Sequence, residues 1–402
     1  MITVEEARER LLNAFAPLPA EVAGLDAAAG RVLAADVAAR RDQPPVAVSA
    51  MDGYAVRAAD VAAPPARLAV TGTSAAGEPF AGPLGPGEAV RIYTGAAVPD
   101  GADAVVMQED TERDGATVTV NDSVGAGRSV RPAGLDFAAG DILLTRGRPL
   151  DARAIGLAAA MNRPWLPVVR RPRVAVLSTG DELALPGEPL GPTQICGSNG
   201  PALAAMVTAH GGEATHLGIA GDDRETLEAL AGAARGADLL VTSGGVSVGD
   251  HDIVRDLLGD ADLAFHKVAM RPGKPLMFGH AGGTPVLGLP GNPVSALVTA
   301  ALFLRPVLRR LHGLLPEAAG ERVTARLATD LPANDLRRDH LRATLTRDGG
   351  GTLWATPLTG QDSGVLSALA AADALIVRPE HAPAAAAGDS VEVLTLPEGL
   401  AP

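Results

Sequence analysis

Cysteine is almost missing from this chain: Cys196 is the only one in 402 residues. That excludes an internal disulfide framework and fits a reducing compartment. With no basic neighbour to activate it, Cys196 reads as a passive small residue. Aromatic residues make up only 2%. With Ala, Gly, Pro and Arg abundant, this suggests a composition shaped by a GC-rich genome as much as by function, so Ala-rich stretches carry little weight. Long apolar runs are missing too. Val294–Leu304 comes nearest, and Arg305-Pro306 cuts it short of the ~20 residues a membrane span needs. Positive charge is in deficit, with 34 Lys plus Arg against 47 carboxylates and a net charge of −13. Such a surface repels a phosphate backbone, which argues against a nucleic-acid partner. A small anion is still bindable where cations and backbone N–H groups are concentrated. The first fifteen residues carry Glu5, Glu6, Arg8, Glu9 and Arg10 in place of the basic and apolar regions of a signal peptide. A cytoplasmic protein without a membrane partner is expected.

The length calls for two to four domains, and the 47% apolar content can fill their cores. Val4, Ala7, Leu11, Leu12 and Phe15 have the spacing of an amphipathic helix. From Arg40 to Arg148 short β-like runs (67–70, 89–93, 104–108, 117–120), broken by Gly and Pro, suggest a small β-rich module. A second helix at Asp151–Met161 suggests that this module is inserted in a helical domain. Beyond the linker Arg170-Arg171-Pro172 strands (173–178, 214–219, 237–242, 264–270, 276–278, 285–289) alternate with helices (200–210, 224–235, 252–258, 294–311). That alternation predicts a doubly wound α/β domain with a mostly parallel sheet. Strand patterns at 323–327, 374–377 and 391–396 predict a small C-terminal β domain.

Open α/β sheets bind ligands beyond the carboxyl ends of their strands. The predicted strands of 171–318 are followed there by Thr179-Gly180-Asp181-Glu182, by Gly221-Asp222-Asp223, and by the run from Ser243-Gly244-Gly245 to Asp252. Arg271-Pro272-Gly273-Lys274 and Pro290-Gly291-Asn292-Pro293-Val294-Ser295 come last. Glycines after a strand let backbone N–H groups approach a ligand closely. Asn292 suits a helix cap and Pro293 a first turn, and the exposed N–H groups there favour an oxyanion such as molybdate or phosphate. Lys267, Arg271 and Lys274 add positive charge, and Asp181, Glu182, Asp222 and Asp252 are hard oxygen ligands suited to Mg²⁺. Taken singly each loop is an ordinary turn; five at one edge of one sheet point to a site. The histidines His210, His216, His266 and His280 have no metal-ligand spacing and read as structural or solvated.

Ser178-Thr179-Gly180-Asp181-Glu182-Leu183, Thr242-Ser243-Gly244-Gly245-Val246-Ser247-Val248-Gly249, Pro272-Gly273-Lys274-Pro275 and Leu289-Pro290-Gly291-Asn292-Pro293-Val294-Ser295 resemble the signatures of the molybdenum insertase family, the bacterial MoeA proteins and the E domain of gephyrin. Ser49-Ala50-Met51-Asp52-Gly53-Tyr54-Ala55, Tyr93-Thr94-Gly95-Ala96, 99–106 and 131–137 resemble the second domain of that family, and 338–343 and 360–364 its fourth. The match runs through the whole chain in order. It implies a helical, elongated domain I (1–45 and 140–170), an inserted β-rich domain II (46–139), a MogA/MoaB-like α/β pterin-binding domain III (171–318) and a β-barrel domain IV (319–402). It also implies a homodimer whose cleft lies between domain III of one subunit and domain II of the other. That makes Asp52, Thr94 and Asp136 site candidates, while Arg342 and Ser363 would close an oxyanion pocket from domain IV.

The implied reaction is transfer of molybdenum from molybdate into adenylylated molybdopterin with release of AMP. The catalytic candidates are Asp52, Thr94, Glu182, Asp222, Asp252, Lys267, Arg271 and Lys274. Thr179, Gly180, Asp181, Ser243, Gly244, Gly245, Pro290, Gly291, Asn292, Pro293, Ser295, Asp136, Arg342 and Ser363 would bind substrate. Mg²⁺ would sit on Glu182, Asp222 and Asp252. Transient partners would be an adenylyltransferase and apo-molybdoenzymes. Three departures stand out: Gly197 replaces a usual Asp, Arg271 a usual Lys, and Asp250-His251-Asp252 is a variant acidic run. The rival readings are a molybdopterin adenylyltransferase, which would resemble domain III alone, and a non-catalytic carrier or scaffold. A generic nucleotide-binding protein lacks support, since there is neither a Walker lysine motif nor Gly-x-Gly-x-x-Gly after the first strand.

Overall fold

The structure is a computed structural model that describes residues 1–221, 224–246, 258, 263–315 and 322–396. The chain folds into two compact units: one holds Met1–Glu21, Gly30–Ala34 and Pro167–Pro402, the other Val22–Ala29 and Ala35–Leu166.

The larger unit is built on a six-stranded sheet in the order Glu213–Ala220, Arg173–Thr179, Leu239–Ser243, Thr284–Leu289, Pro275–Ala281, Leu263–Lys267. The first four strands are parallel and the last two antiparallel. The strand period of two divides the apolar residues between the faces. Val174 and Val176 join one core and Ala175 and Leu177 the other, and all four are buried. The first core is covered by Asn199–Ala209 and by the helical run 293–311, and the second by Arg224–Gly232.

Two expectations need adjustment. The helix Val4–Asn13, capped by Thr3 Oγ1 on Glu6 N–H (3.1 Å), buries Val4, Ala7 and Leu11 in the α/β core beside Phe278, Leu304 and Val307. Residues 1–21 therefore belong to the unit that holds the α/β region. The single helix expected at 294–311 is Pro293–Thr299, a wide π turn at Ala300–Leu304, and Arg305–Leu311. Pro306 donates no N–H, and the wider turn falls where an α-helical hydrogen bond would be lost.

The strands 322–327, 338–347, 353–357, 374–378 and 390–395 close into a five-stranded barrel, because the 338–347 strand pairs with both 353–357 and 374–378. Its interior is filled by Ala325, Leu327, Ala343, Ala355, Ile376 and Val393. The short strand Met270–Arg271 adds to it in parallel, with Arg271 opposite Asp339.

The smaller unit carries a six-stranded sheet ordered 104–107, 53–56, 88–92, 66–74, 117–120, 111–114. Asp151 caps the helix Ala152–Ala160 by accepting from Ala154 N–H (2.8 Å). Gly53 opens the second strand of that order where a Cβ would lie 1.8 Å from the Val106 carbonyl oxygen. We expect Gly53→Ala to cost ~3 kcal/mol or more, because strand pairing must part to admit the methyl group. Scanning calorimetry checks this; an unchanged melting temperature would show that the strand yields without cost.

Candidate active site

The four parallel strands end at Ala220, Thr179, Ser243 and Leu289 on one edge. Lys267 ends its strand opposite Pro275, which starts the antiparallel partner, so Lys267 and Lys274 come to the same edge. They are the only two lysines in a chain with 32 arginines. Lys274 is exposed and Lys267 half-buried.

The glycine turn after Leu239–Ser243 is backed tightly. Gly244 has φ +96°, and a Cβ on it would meet the Thr179 carbonyl oxygen at 2.4 Å, so only glycine fits. Its N–H donates to Leu289 O (3.1 Å), joining two loop ends. Ser243 and Thr179 are buried. Asn199 Nδ2 donates to Ser243 Oγ and to Gly291 O, both at 2.7 Å, so it ties the glycine turn to the 290–295 loop. Its Oδ1 is buried without a partner. Sequence reasoning passed over Asn199 and noted only the Gly197 replacement beside it; the available signal was an Asn opening a helix at the ligand edge.

The helix opening differs from expectation. Asn292 is the N-cap residue, but its side chain makes no cap hydrogen bond; Nδ2 donates instead to Ser363 Oγ (2.9 Å). The N–H of Val294 donates to Ser363 O (3.1 Å). Because Pro290 and Pro293 have no N–H, Gly291, Asn292 and Ser295 supply the other three of that run. Ser295 is buried on the first turn. Ser363 is itself placed by Arg342, a fully buried residue of the 338–347 strand. Arg342 donates from Nε to Gly360 O (3.1 Å) and from Nη2 to Gly360 O and to Asp362 O (3.1 Å). Its Nη1 is buried without a partner. Arg342 thus positions the loop that carries Ser363 and does not line an open pocket.

Arg271 was expected on an oxyanion, and its fork is closed on a carboxylate. Nε and Nη2 donate to Asp339 Oδ1 and Oδ2 at 2.7 and 2.6 Å, and Nη1 lies 3.5 Å from Asp335. These bonds raise the Arg271 pKa further. The group pins the 271–274 loop to the barrel, a bidentate role that a lysine would not fill.

Asp181 and Glu182 are exposed at the end of Arg173–Thr179. The expected companions Asp222 and Asp252 lie outside the described residues. Among the described residues no group of three His, Cys, Asp or Glu is placed to hold a metal.

The smaller unit holds the Asp52–Thr94 pair. Asp52 precedes the strand Gly53–Val56 and Thr94 follows Glu88–Ile92; these strands pair with Gly53 opposite Ile92. Asp52 Oδ1 accepts from Thr94 N–H and Thr94 Oγ1, both at 2.7 Å. Those bonds, the backbone one first, with a smaller contribution from Arg91, hold the carboxyl below its usual range, so it is ionised at neutral pH. In the same unit an open groove of about 630 Å³ is lined by Pro44, Val46, Val48, Leu135, Arg131 and Asp136 among others. Asp136 is exposed there.

The structure thus shows a glycine-turned α/β sheet edge with two lysines, a barrel loop docked on its last helix and, in the smaller unit, an Asp–Thr pair. Residues 2–162 match the MoeA N-terminal region (domain I and II), 175–310 a probable molybdopterin binding domain, and 324–396 the MoeA C-terminal region (domain IV). The chain belongs to the molybdopterin molybdenumtransferase family. Molybdopterin molybdenumtransferase 2 of Mycobacterium tuberculosis is 41% identical over 384 residues, 92% of this chain and 94% of its own length. The molybdopterin molybdenumtransferase of Nostoc is 40% identical, over 94% of this chain and 89% of its own. A crystal structure of a molybdopterin biosynthesis moeA protein from Pyrococcus horikoshii superposes with a TM-score of 0.86 at 35% identity, covering 98% of this chain and 99% of that one.

Proposed function

We propose that this chain inserts molybdenum from molybdate into the dithiolene of adenylylated molybdopterin and releases AMP. The observation that carries the proposal is the meeting, at one sheet edge, of its only two lysines with the Ser243–Gly245 turn and the Pro290–Ser295 helix opening. The glycine turn receives the phosphate groups, and Lys274 and Lys267 hold the molybdate with the N–H groups of Gly291 and Asn292. Arg342 and Ser363 hold the helix opening in place, and Arg271 keeps the lysine-bearing loop against the barrel. The two dithiolene thiols bond to molybdenum as one molybdate oxygen leaves with their protons as water, and a second water attacks the phosphoanhydride, so that AMP leaves and the pterin keeps its phosphate. Mg²⁺, held by Glu182, Asp222 and Asp252, would supply charge neutralisation at the anhydride; the exposed Glu182 carboxylate at the strand end suits this hard cation.

Asp52, Thr94 and Asp136 enter the same reaction from the smaller unit of a second subunit, in a cytoplasmic homodimer. The four domains divide near residues 45, 140, 170 and 318. An adenylyltransferase would deliver the pterin and apo-molybdoenzymes would take it away. Among the described residues no helix is long and apolar enough to cross a membrane.

The test is AMP release from adenylylated molybdopterin by the purified protein with Mg²⁺, with and without molybdate, beside Glu182→Gln. Molybdate-dependent release, reduced about 100-fold in the variant, is expected. Binding of the pterin without any AMP would favour the carrier or scaffold reading.

A further inference from the structure

Arg91 lies in none of the ligand loops, yet it touches the segments on the Gly53 side of the Asp52–Thr94 pair. Its residue lies on the Glu88–Ile92 strand directly opposite Tyr54. The guanidinium carbon stands 5.2 Å from the ring centre of Tyr54 and 5.0 Å from that of Tyr93. These are the only two tyrosines in the chain. Arg91 Nη1 donates to Gly53 O (3.2 Å), the residue after Asp52, and Nη2 donates to Gln108 Oε1 (2.7 Å). Gln108 in turn donates its backbone N–H to Asp52 O (3.1 Å). Tyr93 immediately precedes Thr94. One planar cation thus reaches the Asp52 segment through Gly53, the Thr94 segment through the Tyr93 ring, and the segment behind both through Gln108.

The opposite side of the pair is locked without it. Ser49 donates its N–H to Ala96 O and accepts from Gly95 N–H, at 2.9 and 2.8 Å, and its hydroxyl donates to Met51 O (2.5 Å). Arg91 is therefore the sole side-chain tie among the described contacts on the Gly53 side. An arginine that only solubilised this face would extend into water; this one is half-buried, lies over two rings and is bonded from both ends of its fork. We infer that Arg91 is a positioning residue that sets the geometry of the Asp52–Thr94 pair for the insertion reaction, its guanidinium clamped by Tyr54 and Tyr93.

This inference rests on the reading that Asp52 and Thr94 take part in insertion. Its test is therefore made with two readouts on Arg91→Met and Arg91→Lys. Carbon-13 NMR follows the Asp52 carboxyl titration, assigned with Asp52→Asn, and steady-state insertion gives kcat and the KM for molybdate. In Arg91→Met the Asp52 midpoint is expected to move upward, and kcat to fall about tenfold, equivalent to about 1.4 kcal/mol. The KM for molybdate should stay within about twofold, since no cation on the molybdate is touched. Arg91→Lys keeps the charge and loses the fork, so it should restore most of the titration and little of the kcat. An unchanged kcat in folded Arg91→Met overturns the inference. If that variant does not fold, Gln108→Ala removes one fork partner and is read the same way. Should Asp52→Asn itself insert molybdenum at full rate, the reading of Asp52 fails, and the titration separately reports whether Arg91 sets the carboxylate.

Discussion

Replacing Lys274 with alanine is expected to lower molybdenum insertion about 100-fold at subsaturating molybdate, with the melting temperature unchanged. Only the backbone carbonyl of Lys274 serves the fold, accepting from Val268 N–H (3.0 Å), while the side chain is exposed at the sheet edge. With net charge −13 the protein must concentrate cations to attract a dianion, and both of its lysines stand at that edge. Removing one of a few charged donors from an oxyanion typically costs ~2.7 kcal/mol or more, which is the 100-fold. The loss should appear mainly as a raised KM for molybdate, and Lys274→Arg should recover part of it. Insertion at the wild-type rate in Lys274→Ala would remove this residue from the molybdate site and leave Lys267 to account for capture.

The second large effect is loss of stability in mild acid. Burial pushes His312 down to about 4, with Arg31 and Arg171 adding repulsion, and pushes His340 down to about 3, with Arg338 and Arg322 adding theirs. An unfolded chain takes up these protons near pH 6.5, whereas the folded one refuses them until about pH 4 and about pH 3. The unfolded state therefore binds more protons throughout that window, and stability falls as pH drops through it. Each histidine contributes up to ~1.4 kcal/mol per pH unit. The carboxylates held low by hydrogen bonds, Asp52, Asp151, Asp335 and Asp348, act in the same direction only nearer pH 4 and below. Urea midpoints between pH 7 and 5 thus report the histidines, and His340→Leu should flatten the slope. A midpoint that does not change from pH 7 to 5 would show that both rings are protonated in the folded state.

Much of the architecture was legible in order along the chain. The strand runs at 117–120, 173–178 and 285–289 fall within a residue or so of those observed, since alternation follows from one buried face and continuous apolarity from two. The 338–347 strand was not expected as a strand. Asp339, His340 and Arg342 are buried in it, and no hydropathy pattern marks a strand that buries charged and polar side chains beside its apolar ones. What keeps them there comes from elsewhere: Arg271 pairs with Asp339 across the parallel register, and the carbonyls of Gly360 and Asp362 take the Arg342 fork.

The sequence alone determined the family and the edge at which the ligand loops gather, because motif order and strand alternation are local and survive in one dimension. It also held, in plain count, two lysines among 32 arginines, both at that edge. Tertiary structure decided which polar groups there are committed to one another. Arg271 is closed on Asp339, Val294 and Asn292 are docked on Ser363, and Arg91 lies over the rings of Tyr54 and Tyr93. A side chain's partner depends on what the fold brings within about 3 Å, from residues as far apart as 271 and 339, and hydrogen bonds of that length leave no trace in sequence spacing.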